Sequence, residues 1–212
     1  MSKGKLAPYL QGIVVKQNGE IRALKITTAE TAPNKLKKTG QEYCDAFREK
    51  LGEGGKIEHL QVIINSRGGS FYSAAGIQQA LHEMNGGKNP EIGRISILID
   101  GMCGSAATFV AFGAYEREAV FITPGSRVFI HMPKVYQYTK TGGIWDAVMK
   151  VGTIITTRTF VELYRRRTGQ KRWIIRKWMR EGRYFSAEDA VMIGLCDGIM
   201  TRAEFEKWRA EK

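Results

Sequence analysis

Apolar residues along this chain fall into two alternating patterns, short branched runs and longer stretches with helical spacing. Leu60 to Ile64 is dominated by branched apolar residues and is too short for a helix. Such a run reads as a strand buried on both faces, the mark of a parallel sheet. Ile95 to Ile99, Ala119 to Ile122 and Val128 to Ile130 repeat the pattern. Between them, Ser70 to Met84 carries Ala74, Ile77, Ala80, Leu81 and Met84 on one helical side, and Ser105 to Ala114 is apolar almost throughout. Strand and helix in alternation predict an α/β fold with crossover helices on a parallel sheet. Upstream, Gly12 to Val15 and Ile21 to Ile26 read as short strands in a polar, basic segment of about residues 1–40. Gln41 to Leu51 reads as a helix stopped by Gly52, Gly54 and Gly55.

Beyond Pro133 the pattern changes. Lys134 to Gly143 is a polar connection, and Ile144 to Tyr164 a long helix with Ile144, Val148, Val151 and Ile155 on one stripe. That stripe is wider than one core contact needs, which predicts an interface. Gly169 breaks the helix, Lys171 to Arg180 forms another, and Ala187 to Ile193 a third that ends at Gly194. No stretch reads as a linker, so residues 1–212 are taken as one domain with a helical extension.

Composition narrows the class. A chain of 212 residues with 43% hydrophobic and 25% charged residues suits a soluble globular domain with a sizeable core. No apolar run reaches the ~18 residues of a membrane span, and the N-terminal Met1-Ser2-Lys3-Gly4-Lys5 leads into no apolar segment of a secretory signal. A cytoplasmic location is expected. Cys44, Cys103 and Cys196 are odd in number and lack metal-ligand spacing, so they read as reduced thiols, with no metal and no cofactor expected. The net charge is +12, and Arg165 to Arg183 holds nine Lys or Arg against one Glu. Arginines interleaved with Trp173 and Trp178 can grip phosphates and stack bases. The plainer reading packs Trp173, Ile174 and Trp178 inward with the arginines solvated, so a nucleic-acid partner is not expected.

Chemistry in open α/β sheets gathers beyond the carboxyl ends of the strands. Two glycine-rich turns are predicted there, Asn65-Ser66-Arg67-Gly68-Gly69-Ser70 and Asp100-Gly101-Met102-Cys103-Gly104-Ser105. Each leads into a helix, and together their amides can form an anion or oxyanion site. Ser105 stands at a helix start, where serine also serves as an N-cap. His131 closes an apolar strand at Pro133 and is the histidine placed to act as its base. His59 and His82 lie in polar surroundings and rank below it.

Five motifs follow in order: Asn65 to Ser70, Gly101 to Ala106, Pro124 to Pro133, Tyr184-Phe185-Ser186-Ala187-Glu188-Asp189-Ala190, and Gly194-Leu195-Cys196-Asp197. Over about Leu60 to Ile199 this series resembles the Clp protease proteolytic subunits and the related head-maturation proteases of phages. The resemblance implies a crotonase-like fold of repeated βαβ units with a protruding helical handle at about residues 134–170. It implies a serine endopeptidase with Ser105 as nucleophile, His131 as base, and the N–H groups of Gly69 and Ala106 as oxyanion hole. It also implies assembly into rings, heptamers in the family, singly or stacked, with an ATPase unfoldase or phage capsid proteins as partners and a peptide as substrate. A membrane partner is not implied.

The chain departs from the family pattern at three places. Arg67 replaces a proline, Gly104 precedes the nucleophile where alanine is common, and Gly182 occupies the usual place of the triad carboxylate. Glu181 is adjacent and is the first candidate for that role, ahead of Asp146 and Asp100. Gly182 also motivates a different reading, a catalytically weak or inactive ring paralogue. A basic nucleic-acid-binding protein and an acyl-CoA enzyme of the same fold are the remaining alternatives.

Overall fold

The computed structural model describes residues 13–17, 20–23, 57–69, 71–85, 92–113, 120–133 and 144–208. The helix expected at Gln41 to Leu51 and the connection Lys134 to Gly143 lie outside them. Strands β1 (Ile13–Gln17), β2 (Glu20–Ala23), β3 (Ile57–Ser66), β4 (Ile92–Gly104), β5 (Val120–Ile122) and β8 (Gly198–Ile199) form one sheet in the order β2-β1-β3-β4-β5-β8. Strands β6 (Arg127–Ile130) and β7 (Arg183–Phe185) extend it beside the far end of β4. The centre, β3-β4-β5, is parallel, as two-sided burial predicts. The margins are not: β1 runs antiparallel to β2 and β3, and β7 antiparallel to β6.

The helices are α1 (Phe71–Asn85), α2 (Ala106–Phe112), α3 (Ile144–Thr168), α4 (Arg172–Glu181), α5 (Ala187–Met192) and α6 (Arg202–Trp208). The predicted stripe of α1 is the buried one: Ala74, Ile77, Ala80, Leu81 and Met84 face the sheet. Every residue of α2 is buried. Phe71, Phe109 and Phe160 bring α1, α2 and α3 together, with ring centroids 5.0 to 5.7 Å apart. The opposite sheet face holds a smaller cluster of Ile63, Leu98 and Phe121 under Phe205 of α6. That last helix has no strong apolar period, and the sequence reading does not include it.

Helix α3 divides along its length. Phe160, Val161, Leu163 and Tyr164 are buried, whereas Val151, Ile154 and Ile155 are exposed. Arg167, in the basic stretch, is a core residue: its guanidinium meets Asp197 at 2.8 Å and donates to the carbonyl of Leu195. Trp178 is buried beneath α4, but Trp173, expected to pack inward, is 62% exposed. It lies on the same turn as Arg172, on the solvent side of a strongly one-sided helix.

Candidate active site

The second glycine-rich segment is not a turn. Strand β4 continues through it to Gly104, so the expected strand end at Ile99 is corrected by five residues. The strand bends at Gly101, whose φ of +118° suits glycine alone. Its first half pairs with β3 and β5, and its second half moves to β6, with Met102, Cys103 and Gly104 opposite Arg127, Val128 and Phe129. Two side chains hold the bend: Asn65 Oδ1 accepts from the N–H of Met102 at 3.1 Å, and Ser126 Oγ accepts from that of Gly101 at 2.6 Å.

Ser105 comes next. Its φ of 53° and ψ of −127° are unlike those of its neighbours, and it is the only non-glycine with positive φ among the described residues. Its side chain makes no capping hydrogen bond, so the N-cap explanation does not account for it. Such a conformation costs on the order of 1–3 kcal/mol and persists only where surroundings impose it. They do. The N–H of Ser105 donates to the carbonyl of Phe129 at 2.9 Å, and its carbonyl accepts from the N–H and the hydroxyl of Thr108 at 3.0 and 2.5 Å. A sharp strand-to-helix turn of this kind presents a serine oxygen outward from the helix.

The first glycine-rich loop closes on this turn. A Cβ on Gly68 would stand 2.6 Å from Ser105 Cβ and 2.9 Å from the amide nitrogen of Ala106. A Cβ on Gly104 would stand 3.0 Å from the carbonyl oxygen of Arg67. The two backbones therefore meet with no side chain between them. Gly69 follows Gly68 in this loop, and Ala106 is the first residue of α2.

His131 follows β6. Val128 and Ile130 point into the core, so Phe129 and His131 share the opposite face by the two-residue period of a strand. Their rings stack at 5.0 Å, and Tyr184 stacks on the far side of Phe129 at 4.2 Å. Because Gly104 pairs with Phe129, Ser105 and His131 leave the ends of the neighbouring parallel strands β4 and β6, Ser105 one residue and His131 two residues past that pair.

The end of α4 packs against the same segment. The N–H of Met132 donates to the carbonyl of Met179 at 2.8 Å. Glu181, the last residue of α4, is exposed, with Lys177 Nζ 3.9 Å from its carboxylate. Gly182 caps the helix in the left-handed conformation, φ +63°, and its N–H returns to Met179 and Trp178. A Cβ there would lie 3.7 Å from the Phe129 ring. Asp100 is occupied elsewhere, accepting from the Thr123 hydroxyl at 3.1 Å and facing Arg202 at 3.7 Å. The side chain of Asp146 lies outside the described residues. His59 bonds Ser96 at 2.6 Å, and His82 is exposed on α1.

The described cysteines are inert. Burial raises the Cys103 thiol well above its ordinary value and pushes Cys196 up to about 12. Thiolates are the reactive form, so neither thiol is poised as a nucleophile. No cluster of three His, Cys, Asp or Glu able to hold a metal occurs among the described residues. An open cavity of about 570 Å³ lies alongside, lined by Asn65, Ser66, Arg67, Gly101, Met102, Gly125 and Arg127. Sequence reasoning gave no role to Asn65, Ser126, Arg127 or the Thr108–Tyr164 pair. Only Asn65 had a signal, its place at the head of a glycine-rich motif.

A parallel α/β core with a serine on a strained strand-to-helix turn and a histidine on the next strand defines a hydrolase-like scaffold. The profile of the Clp protease family matches residues 50–203, most of the chain, and the chain belongs to that family. It is 27% identical over 204 residues to the ATP-dependent Clp protease proteolytic subunit 1 of Chlamydia muridarum, covering 94% of this chain and 97% of that one. It is 25% identical over 141 residues to the ATP-dependent Clp protease proteolytic subunit of Huperzia lucidula, covering 66% and 63%. A solved mutant of ClpP1 from Listeria monocytogenes superposes with a TM-score of 0.59 at 19% identity, over 78% of this chain and 86% of that one. The architecture is thus the mixed α/β, crotonase-like fold of Clp proteolytic subunits. Among the described residues no helix is long and apolar enough to cross a membrane.

Proposed function

We propose that this chain is a serine-type endopeptidase of the Clp kind, with Ser105 as nucleophile and His131 as general base. The observation that carries the reading is the backbone of Ser105. A residue held in a costly conformation, without the cap bond that would explain it, points to a role for its free hydroxyl. In this mechanism Ser105 Oγ attacks the peptide carbonyl carbon while its proton passes to His131. The N–H groups of Gly69 and Ala106 receive the oxyanion. The carbon–nitrogen bond then breaks as His131 returns the proton to the departing amine. Water, deprotonated by His131, attacks the acyl-enzyme and releases Ser105.

Glu181 is the positioning carboxylate in this reading. Its support is the Met132–Met179 bond, which brings the end of α4 beside His131. To serve, its carboxylate must leave Lys177. The aromatic column of Tyr184 and Phe129 supplies a second constraint on the imidazole. Residues 1–212 act as one unit, located in the cytoplasm. It assembles into rings through α3, where Val151, Ile154 and Ile155 offer uncovered apolar surface. The ring works with an ATPase unfoldase on peptide substrates.

The test is covalent labelling. A fluorophosphonate probe should modify the wild type at Ser105, and Ser105→Ala should keep the fold while losing both labelling and peptidase activity. Undiminished peptidase activity in Ser105→Ala would remove the assignment. A second reading, a weakly active or silent ring subunit, is favoured by the exposure of Glu181 beside a glycine at position 182. It predicts ring assembly with slow or absent turnover.

A further inference from the structure

The cavity at the bend of β4 has a chemical character that the proposed hydrolysis does not use. Arg67 and Arg127 sit on its lining, and both are exposed. Among the described residues neither guanidinium has a carboxylate partner, although most arginines around Glu162 and Asp197 are paired. The remaining lining is polar or backbone, Asn65, Ser66, Gly101 and Gly125, with Met102 as the single apolar side chain.

Placement ties this cavity to the reacting atoms. Arg127 and Met102 are register partners, so their side chains leave the same face of the sheet. On β6 that face continues, by alternation, through Phe129 to His131. Across β4, Asn65 reaches the N–H of Met102, and the carbonyl of Arg67 abuts Gly104. Arg67, one residue past β3, and Arg127, the first residue of β6, thus stand on either side of the strand that delivers Ser105. Met102 precedes Ser105 by three strand residues, about 10 Å, which an extended peptide covers with about three of its own residues.

We propose that Arg67 and Arg127 form a subsite for an acidic side chain of the peptide substrate, about three positions from the scissile bond. This rests on the serine-peptidase reading of Ser105. Guanidinium groups match a carboxylate by paired N–H donors. Arg67 occupies the place where the family pattern has proline, whereas Arg127 lies within the Pro124 to Pro133 motif, so the pairing of the two is what this chain adds. Arg67 and Arg127 act here as specificity-determining residues.

The experiment uses end-blocked fluorescent peptides that differ only by Glu or Gln, scanned through four positions on each side of the cleaved bond. Binding is measured by anisotropy to the Ser105→Ala protein, and turnover with the wild type. At one position the Glu peptide should bind and turn over about tenfold better than its Gln twin, with the advantage shrinking in high salt. Arg67→Gln and Arg127→Gln should each bring the Glu-to-Gln ratio toward one. Equal binding of Glu and Gln peptides at every position overturns the subsite. So does an Arg127→Gln protein with unchanged preference but altered oligomeric mass, since the carboxylate then comes from a second copy. A wild type that neither reacts with a fluorophosphonate nor cleaves any peptide defeats the peptidase reading instead. The anisotropy series still decides whether an acidic side chain is recognised.

Discussion

The hydroxyl of Tyr164 donates to the hydroxyl of Thr108 across 2.6 Å, deep in the core. The direction follows from proton count: Thr108 has one proton and gives it to the carbonyl of Ser105 at 2.5 Å. A residue of α3 thereby supports the turn that carries Ser105. Burial also raises the phenol of Tyr164, so it stays protonated across the working range.

Removing the first link should be mild and the second severe. Tyr164→Phe loses one buried hydrogen bond, about 1 kcal/mol, and should lower Tm by roughly 2–4 °C for a chain of this size. Thr108→Val also takes the hydroxyl from the carbonyl of Ser105, leaving it the N–H of residue 108. It should slow fluorophosphonate labelling more than Tyr164→Phe does. Equal labelling rates in the two variants would mean that the turn is held without Thr108.

Gly68 is the most sterically committed position near the site. At φ +98° a side chain is strained, and a Cβ would stand 2.6 Å from that of Ser105. Gly68→Ala should push the loop off the strained turn and reduce turnover by about 100-fold, the order expected for a misplacement near 1 Å. Circular dichroism should show the fold retained. Normal turnover in this variant would show that the two loops are not in mutual register during catalysis.

Glu162 clamps α3 to α4. Its hydrogen bonds to Arg165 at 2.5 Å and Arg172 at 3.2 Å hold its carboxyl down from its ordinary 4.5 to about 2, with Arg165 the larger cause. A depressed carboxylate stabilises the fold above its unfolded value and loses that contribution as pH falls through the folded value. The Tm difference between wild type and Glu162→Gln should therefore be flat from pH 7 to about 5 and shrink toward pH 2. A difference that vanishes already at pH 5 would place the clamp outside the folded state's energetics.

The third member of the site is decided by a pair of variants. If Glu181 positions His131, Glu181→Gln should lower turnover by at least tenfold while fluorophosphonate labelling continues. The acidic limb of the rate–pH profile should also move to lower pH, because the imidazolium loses a carboxylate partner. Gly182→Asp tests the neighbouring position. A Cβ there meets the Phe129 ring at ordinary contact distance, and aspartate tolerates the left-handed backbone better than most residues. Turnover should rise if that carboxylate reaches His131. A neutral Glu181→Gln with an inert Gly182→Asp would leave the aromatic column as the constraint on the imidazole.

The central strands and α1 were readable because burial on both faces of a parallel sheet leaves continuous apolar runs, and one-sided helices leave a stripe. The family was readable through the order of the motifs, and the candidacy of Ser105 and His131 came with it. The passage of β4 through Gly101 to Gly104 was not, because glycine normally signals a turn and here permits a bend within a strand. The outward Trp173 was misread because a tryptophan in a helix is normally part of the core. Arg127 left no mark either, since its importance lies in facing Met102 across a strand pair, and pairing is invisible along one chain. Helix α6 went unseen because, among its described side chains, Phe205 is the one buried against the sheet.

Strand β4 carries a consequence for how the site moves. The amide of Ser105 is bonded to Phe129 within the same ladder that links Ile99, Cys103 and Val128 in the core. Amides in such ladders exchange with solvent only through large openings, whereas loops exchange through local ones. Exchange of the Ser105 amide should accordingly be about as slow as that of Ile97 or Leu98, and far slower than that of Gly125 on its exposed turn. Ser105 and the backbone of Phe129 then have no private breathing motion. They are lost together, when the sheet itself comes apart.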